Sequence, residues 1–374
     1  MLPKKVAIIA GQLVVGGAER QLYLWLSHLD RERFNPLVLT LHPGYEDFWE
    51  KPIEALGIPL VRIAHHRNRF TRLRKIVEVL RDFQPDLIQG WHLFSSVYAG
   101  LAARRLHVKS IGGVRNTYQT FKQHKIESFL MLRTVDAVIA NSFSTAAMLG
   151  NQHRPARQPV FAIPNAVTWE FLDSTEAQKI LTEEYGIPPD SELVGCIARF
   201  EPLKRFDLML EIFSGLLDAK PNAHLVLIGD GAEKQNLEAR TAALGISEHV
   251  TFTGEIANAG KLLKAFDIFA FPSMDEGMPN VILEAAAAGL PIVTWDLPFY
   301  REILKNHENA ILVEPGNLEQ FGMALQELID NLDLRLRLGS AARQHVLDTF
   351  TIEKYTRNMT QVYDMLLAEK GNPN

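Results

Sequence analysis

The sequence contains almost no cysteine: Cys196, in the apolar run LVGCIA, is the only one in 374 residues. A single cysteine excludes a disulfide framework and fits a reducing compartment. Long apolar runs are also missing, since no stretch approaches the roughly 18 uninterrupted apolar residues of a membrane-spanning helix. The apolar run in the N-terminal MLPKKVAIIAG is too short for a signal peptide. We therefore expect a cytoplasmic protein that does not span a membrane.

The chain also lacks the G-x-G-x-x-G fingerprint of dinucleotide-binding enzymes. Its first apolar run is followed instead by GQLVVGGAE (11–19), which argues against a dehydrogenase. Gly16 and Gly17 still open a predicted helix, where backbone N–H groups could approach a phosphate or a sugar closely. A plain tight turn explains such an isolated Gly-Gly pair equally well.

The composition is that of an ordinary globular protein, with 47% apolar and 22% charged residues. The length predicts two domains of similar size. Charge is unevenly distributed, because residues 1–165 hold 22 Lys and Arg against 12 Asp and Glu, whereas the rest of the chain carries a net charge of −15.

Much of the positive charge falls in residues 62–75 and 104–125. A solvated surface is the usual explanation of such runs. Attraction to an anionic partner, either a membrane surface or a phosphorylated acceptor, is the functional alternative. No nucleic-acid-binding module accompanies the basic residues, so we expect no nucleic-acid partner.

Short apolar runs alternate with amphipathic segments along the whole chain. Such alternation predicts βαβ units and parallel sheets. The predicted strands of the first series are 6–10, 36–41, 58–63, 86–91, 108–114, 136–141 and 160–164, and those of the second series are 193–198, 224–230, 250–254, 267–273, 291–295 and 310–315. The predicted helices of the first series are 17–28, 71–83, 95–105, 121–134 and 142–150.

Two series of this kind predict an α/β protein with two Rossmann-like domains in tandem. The join is expected near residues 165–174, and apolar residues at helical spacing predict a last helix within 351–370. Ligands of open α/β sheets bind beyond the carboxyl ends of the strands. We therefore expect the candidate residues, which all follow predicted strands, to meet in a cleft between the two sheets.

The segment EGMPNVILEAAAAG (276–289) places two carboxylates, Glu276 and Glu284, on either side of a predicted helix start. Pro279 suits the first helical position, where its missing N–H costs nothing. Because a helix N-terminus attracts anions, a phosphorylated ligand with hydroxyls on both sides would fit, and a nucleotide-sugar is such a ligand.

Three other predicted strand ends carry candidate residues. Arg199 and Lys204 follow the first strand of the second series and could hold a diphosphate from two directions, although solvated charges are the commoner explanation. Gly229, in Gly-Asp-Gly, is expected to shape a loop around the nucleotide. His92 ends a first-series strand, where a histidine is often structural and sometimes functional.

These motifs together resemble the retaining glycosyltransferases of family 4, which have the GT-B architecture of two Rossmann-like domains facing across a cleft. The strongest match is the E-x7-E signature, here Glu276 and Glu284. Supporting matches are GGAER (16–20), NSFST (141–145), IPNAV (163–167), ARFEPLKRFDLML (198–210), LVLIGDGAEKQNLE (225–238) and VTFTGE (250–255). The similarity runs from Val6 to the C-terminal helix.

The resemblance implies an N-terminal acceptor domain (1–168 plus a returning helix, 355–374) and a donor domain (169–354). Glu276 would hold donor-sugar hydroxyls and Glu284 the ribose. Arg199 and Lys204 would hold the diphosphate, and His92 would lie beside the reacting sugar. The remaining donor-binding positions would be Gly16, Gly17, Gly229, Gly277, Met278, Pro279 and Asn280.

The implied reaction transfers a sugar, with retention, from a nucleotide-sugar (UDP above all) to a glycan or lipid-linked acceptor. It needs no cofactor and no metal, because cations and helix ends stabilise the leaving phosphate. Acceptors of this kind belong to lipopolysaccharide, exopolysaccharide or glycolipid assembly, and a peripheral position at the inner face of the membrane would suit them.

The chain departs from the family pattern at Ala166 and at Leu297-Pro298-Phe299, where Gly is common. The second departure bears on the loop near the donor sugar and leaves the sugar's identity open. Two other functions stay open: a nucleotide-sugar epimerase of the same fold and a non-catalytic nucleotide-sugar-binding protein. Paired carboxylates also occur in glycoside hydrolases, but here they flank a predicted anion-binding helix.

Overall fold

The computed structural model describes residues 2–41, 47–63, 68–115, 118–152, 158–168 and 170–368. The chain divides into a first unit, formed by Met1–Ala166 together with Ile352–Asn374, and a second unit, Val167–Thr351. Parts of three predicted segments lie outside the described residues: 64–67 and 116–117 of the basic stretches, and 369–374 at the C-terminus. Within the described residues, no helix is both long and apolar enough to cross a membrane.

The first unit contains a seven-stranded parallel sheet in the order β3-β2-β1-β4-β5-β6-β7. Its strands are β1 (Lys4–Ala10), β2 (Phe34–Thr40), β3 (Leu60–Arg62), β4 (Leu87–Gly90), β5 (Lys109–Val114), β6 (Ala137–Ala140) and β7 (Val160–Ala162). Its first seven helices are α1 (Gly17–Ser27), α2 (Glu50–Ala55), α3 (Arg69–Phe83), α4 (Leu93–Leu106), α5 (Tyr118–Gln123), α6 (Lys125–Thr134) and α7 (Phe143–Gln152). Val6 on β1 lies opposite Pro36 on β2 and Leu87 on β4.

The second unit contains a six-stranded parallel sheet in the order β10-β9-β8-β11-β12-β13. Its strands are β8 (Glu192–Ile197), β9 (Ala223–Ile228), β10 (Val250–Gly254), β11 (Ile268–Phe271), β12 (Ile292–Trp295) and β13 (Ile311–Val313). Its helices are α8 (Ser174–Tyr185), α9 (Phe206–Leu217), α10 (Lys234–Ala243), α11 (Asn280–Ala288), α12 (Pro298–Arg301), α13 (Leu318–Asp330) and α14 (Leu332–Thr349), with short 3₁₀ turns at Pro202–Lys204, Ser247–His249 and Ala259–Ala265.

Both sheets confirm the predicted α/β class with two Rossmann-like domains. Strands such as β9 are buried along their whole length, because helices cover both faces of a parallel sheet. In each sheet the strand order reverses at one place, between β1 and β4 in the first unit and between β8 and β11 in the second. Such a switch point is where open α/β sheets bind their ligands.

The last helix, α15 (Ile352–Ala368), returns to the first unit, as predicted. It buries Tyr355, Met359, Val362, Tyr363 and Leu366 in the core that contains Trp25 and Phe34. The Trp25 indole N–H donates to the Tyr363 hydroxyl at 3.2 Å. Each such buried apolar side chain contributes about 1.5–3 kcal/mol as an upper estimate, which attaches the helix firmly to this unit.

Two helix predictions in the first unit were incomplete. The helix predicted over 121–134 is broken at His124 into α5 and α6. There the Ser128 hydroxyl donates to the Phe121 carbonyl at 2.6 Å, a carbonyl that a continuous helix would bond to the Lys125 N–H. Helix α2 was missed because it contains Pro52, which the first turn tolerates since its N–H would be unsatisfied anyway.

Candidate functional site

The loop after β8 carries the predicted diphosphate residues, and the loop after β9 holds it in place. The Phe200 N–H donates to the Asp230 carbonyl at 2.8 Å, and the Glu233 N–H returns a bond to the Phe200 carbonyl at 3.0 Å. Gly229 has φ +150, and a Cβ there would lie 1.9 Å from the Ala198 carbonyl oxygen. Gly229 therefore lets the two loops meet next to Arg199. Helix α10 begins three residues after this Gly-Asp-Gly turn, at Lys234.

Lys204 and Glu276 come together as an ion pair at the switch point of the second sheet. Lys204 Nζ lies 2.6 Å from Glu276 Oε1, and the side chains are only 19% and 12% exposed. The Lys204 ammonium also lies 5.9 Å from the centre of the Phe271 ring. Desolvation offsets much of the attraction in so sheltered a pair, so a charged or hydroxylated ligand can take the place of either partner.

Arg199 is not part of this pair. Its side chain is 70% exposed, and its guanidinium lies 3.1 Å from Glu201 on the same loop. The structure thus separates the two predicted diphosphate ligands into a sheltered lysine and a surface arginine. A surface arginine paired with its own loop gains little from that contact and can turn toward a ligand.

Helix α11 begins one residue later than predicted. Pro279 is its N-cap, with extended backbone (φ −75, ψ 109), and the Pro279 carbonyl accepts the Ile282 N–H at 3.2 Å. Accepting the first helical bond is the role of an N-cap, so Asn280 is the first helical residue. Gly277, Met278 and Pro279 are buried in front of it. Since proline has no N–H, Pro279 itself cannot donate to an anion.

The two signature carboxylates face different parts of the second unit. Glu276 contacts the loop after β8, whereas Glu284, just over one turn inside α11, lies against the 3₁₀ turn Ala259–Ala265. A Cβ added to Gly260 would stand 3.0 Å from Glu284 Oε2. Each carboxylate can therefore contact its own part of one ligand.

Buried hydrogen bonds fix the loop that leads from β11 to Glu276. The Trp295 indole donates to the Pro272 carbonyl at 2.6 Å, and the Tyr300 hydroxyl donates to the Ser273 carbonyl at 3.0 Å. Burial raises the pKa of the Tyr300 hydroxyl well above its ordinary value, and the Glu276 carboxylate raises it further. The phenol therefore stays protonated and keeps donating.

Sequence reasoning missed Tyr300, which follows the Leu297-Pro298-Phe299 departure. There the structure has the short helix α12, with Pro298 in its first turn, and Arg301 forms a two-pronged ion pair with Asp296 at 2.5 and 2.7 Å. The signal available was an aromatic residue with a polar tip directly after three apolar residues, which points to a buried hydrogen bond.

The first unit has an acid–base pair at its own switch point. His92 Nε2, at the end of the β4 loop, lies 3.1 Å from Glu19 Oε1 in the first turn of α1. Gly16 is the N-cap of α1 and Gly17 its first residue, and a Cβ on Gly16 would lie 2.3 Å from Glu19 Oε2. Gly16 thus makes room for a carboxylate that orients His92. Glu19 was not among the predicted site residues.

Comparison with known proteins shows the family of the chain. The family model described as "Glycosyltransferase Family 4" matches residues 15–170, and the model "Glycosyl transferases group 1" matches residues 177–345. The putative glycosyltransferase EpsF of Bacillus subtilis is 30% identical over 305 residues, 78% of this chain and 79% of its own. The chain belongs to the group 1 glycosyltransferases.

Two further similarities extend over nearly the whole length of this glycosyltransferase. The lipopolysaccharide core biosynthesis glycosyltransferase LpsE of Rhizobium meliloti is 26% identical over 95% of this chain and 96% of its own. The crystal structure of Anabaena Alr3699/HepE in complex with UDP-glucose superposes with a TM-score of 0.83 at 19% identity, over 96% of this chain and 99% of that one. At that identity the likeness shows the GT-B fold.

Proposed function

We propose that this glycosyltransferase moves a hexose from a nucleotide-sugar, a UDP-sugar first of all, to a hydroxyl of a glycan or lipid-linked acceptor, with retention of configuration and without a metal. The observation that carries the proposal is the sheltered Lys204–Glu276 pair beside the start of α11. The names of the relatives support a role in assembling lipopolysaccharide core or another cell-surface polysaccharide.

The donor's groups match the side chains of the second unit. Lys204 would exchange Glu276 for a phosphate oxygen, joined by Arg199 from the surface and by the backbone N–H groups before α11. Glu276, released from Lys204, would accept hydrogen bonds from sugar hydroxyls. Glu284, on the other flank of α11, would accept them from the ribose.

In the proposed step the acceptor oxygen bonds to the anomeric carbon as the bond from that carbon to the phosphate oxygen breaks. The departing phosphate oxygen takes the acceptor's proton, so no protein base is required. The positive charges of Lys204 and Arg199 stabilise the negative charge that develops on the leaving diphosphate, as a metal ion does in other enzymes. His92, oriented by Glu19, would lie beside the reacting sugar.

A donor screen tests the proposal. The chain is incubated with UDP-, GDP- and ADP-sugars in the presence of EDTA, and slow donor hydrolysis and the anomer released are followed by NMR. We expect hydrolysis of a UDP-sugar at an undiminished rate in EDTA, with the α-anomer as first product from an α-linked donor. An isomerised nucleotide-sugar would identify an epimerase instead, and tight binding with no turnover across acceptors would identify a binding protein.

An anionic membrane surface is the second proposed partner, supported by the outer face of α6. Lys125, Ile126, Phe129 and Arg133 are all exposed there at helical spacing, with Ile126 at 68% and Phe129 at 56%. Exposed apolar side chains flanked by cations suit the boundary between lipid headgroups and acyl chains. Elsewhere the basic stretches are partly neutralised, since Arg62 contacts Glu50 and Glu54 at 2.7 and 3.1 Å.

Cosedimentation with anionic and neutral vesicles at low and high salt tests this surface. We expect binding to anionic vesicles that weakens with salt and that Phe129→Ser reduces, whereas Phe143→Ser, an equally exposed phenylalanine on α7, has no effect. Absence of binding to any vesicle would remove the membrane from the proposal and leave the transferase activity in place.

A further inference from the structure

Arg115, directly after β5, is a buried cation without an acidic partner. The residue is only 8% exposed. Its guanidinium stacks 3.6 Å from the centre of the Trp91 ring and contacts the Asn165 side-chain oxygen at 3.5 Å and the Tyr355 hydroxyl at 3.4 Å. Its Nε has no hydrogen-bond partner, and no carboxylate in the described part of the chain forms an ion pair with it.

This arrangement leaves most of the guanidinium unsatisfied. Arginine has five N–H donors, and good N–H···O bonds measure 2.7–3.2 Å, so two contacts to neutral oxygens at 3.4 and 3.5 Å compensate little of a buried charge. Burial of an ion without a partner of opposite charge destabilises a fold. Lys204, by contrast, has a carboxylate at 2.6 Å.

The surroundings hold the guanidinium rigidly. The Trp91 indole donates to the Ala18 carbonyl at 2.8 Å, which fixes the ring on which Arg115 stacks. Gly113, two residues before Arg115, allows β5 to approach this loop, since a Cβ there would lie 2.4 Å from the Trp91 carbonyl oxygen. The planar fork of an immobilised arginine matches a phosphate or carboxylate with little loss of entropy.

Arg115 lies close in the fold to the Glu19–His92 pair. Trp91 immediately precedes His92, so the guanidinium stacks on the residue next to the Glu19–His92 pair. Asn141, which follows β6, donates to the Arg115 carbonyl at 3.4 Å, and its side-chain oxygen is buried without a partner. An unsatisfied cation and an unsatisfied acceptor thus lie together at the carboxyl edge of the first sheet.

We propose that Arg115 binds an anionic group of the acceptor, a phosphate or a sugar carboxylate, with Asn141 accepting a hydrogen bond from a neighbouring hydroxyl. The inference rests on the proposed transferase function and states the chemical class of the acceptor, which is an anionic molecule. The alternative is a structural role, in which Arg115 joins Asn165 and Tyr355 within the first unit.

Stability separates the two roles. Arg115→Met keeps the stacking on Trp91 and removes the buried charge. For an anion-binding arginine we expect the melting temperature of the ligand-free chain to be unchanged or higher, because an uncompensated charge is lost. A fall of more than about 4 °C would indicate a structural link and contradict the proposal.

Binding is measured by thermal shift and calorimetry on the full chain with saturating UDP, which occupies the nucleotide site. The probes are glucose 6-phosphate for a phosphate, glucuronate for a carboxylate and glucose as the neutral control. We expect one anionic probe to stabilise the wild-type chain, glucose not to, and Arg115→Met to weaken the effective probe about tenfold to a hundredfold. Arg115→Lys should recover part of the affinity.

Arg105→Gln, which removes an exposed charge from the same unit, is the matched control and should bind the probe like the wild type. Equal binding by Arg115→Met, or stabilisation of the wild type by neither anion, would overturn the proposal. Hydrolysis of UDP-glucose by the wild type is followed separately. If it is absent while the Arg115-dependent shift persists, the transferase proposal fails and the anion site stands.

Discussion

The two units each place an acid–base pair at the switch point of the sheet, but the order of the two partners along the chain is reversed. In the first unit the acid, Glu19, follows β1 and the base, His92, follows β4, at 3.1 Å. In the second unit the cation, Lys204, follows β8 and the acid, Glu276, follows β11, at 2.6 Å. Both pairs bridge the loops at a switch point, where the strand order reverses.

The difference suits two different tasks. A lysine carries a full charge at neutral pH, so the second unit presents a fixed positive charge suited to a diphosphate. A histidine held by a carboxylate can instead direct a hydrogen bond in a fixed orientation. The comparison therefore predicts that breaking the second pair harms donor binding, whereas breaking the first pair harms turnover.

The largest effect is expected for Lys204→Met. The change removes the cation that would pair with the diphosphate and leaves the Glu276 carboxylate, which repels it, so UDP affinity should fall roughly a hundredfold, or about 3 kcal/mol of binding free energy. Isothermal titration with UDP measures it. Lys234→Met, which removes a partly exposed lysine that is paired with Asp230 at 3.3 Å, is the control. A Kd within threefold of the wild type would place the diphosphate elsewhere.

A smaller effect is expected for Glu19→Gln. The amide can still bond to His92 but loses the charge that orients it, and we expect kcat to fall about tenfold while the Kd for UDP stays the same. Donor hydrolysis and titration on the same preparation measure both quantities. A loss of UDP affinity equal to that of Lys204→Met would show that both pairs serve donor binding and would contradict the different tasks assigned to them.

The second pair also depends on the loop behind it. Tyr300→Phe deletes the hydroxyl that donates to the Ser273 carbonyl and leaves that acceptor unsatisfied, which costs about 1–2 kcal/mol. We expect a melting temperature lower by a few degrees and a severalfold rise in KM for the donor. A lower melting temperature with unchanged kinetics would show that Tyr300 supports the fold and not the position of Glu276.

The smallest effect on activity is expected from a histidine in the core of the second unit. Burial lowers the pKa of His224 to about 4, with a contribution from nearby His249. Because this folded-state pKa lies below the ordinary value of about 6.5, the stability due to neutral His224 is complete above pH 6.5 and is lost between pH 6.5 and 4.

His224→Gln should therefore reduce the fall in melting temperature between pH 7 and pH 4.5, without changing donor hydrolysis at pH 7. Calorimetric melting across this range provides the measurement. If the variant's melting temperature falls with pH as much as that of the wild type, His224 is not the group that makes the second unit sensitive to acid.

Most of the fold could be predicted from periodicity. Every predicted strand is present within a few residues, since buried parallel strands are continuous apolar runs bounded by turn residues. The broken helix at His124 could not be foreseen, because the bond from Ser128 to Phe121 depends on side-chain placement. Helix α2 could not be predicted because it contains Pro52, a residue that usually ends helices.

The site was predictable as a set of residues and not as a set of contacts. Glu276 was identified because it precedes a predicted helix start, and Lys204 and His92 because each follows a strand. Nothing local indicates that Lys204 pairs with an acid 72 positions away, or that Arg115 is buried while Arg199 is exposed. Those outcomes depend on which loops the topology brings together. Glu19 and Tyr300 were missed because their partners come from other loops.

The central claim is that Glu276 contacts the donor sugar and Glu284 the ribose, and titration of UDP and UDP-glucose into the wild type, Glu276→Ala and Glu284→Ala tests it most directly. We predict that Glu276→Ala abolishes transfer and removes the extra affinity due to the sugar while UDP binds as in the wild type. Glu284→Ala should weaken both ligands. Equal loss of UDP affinity in both variants would contradict the account.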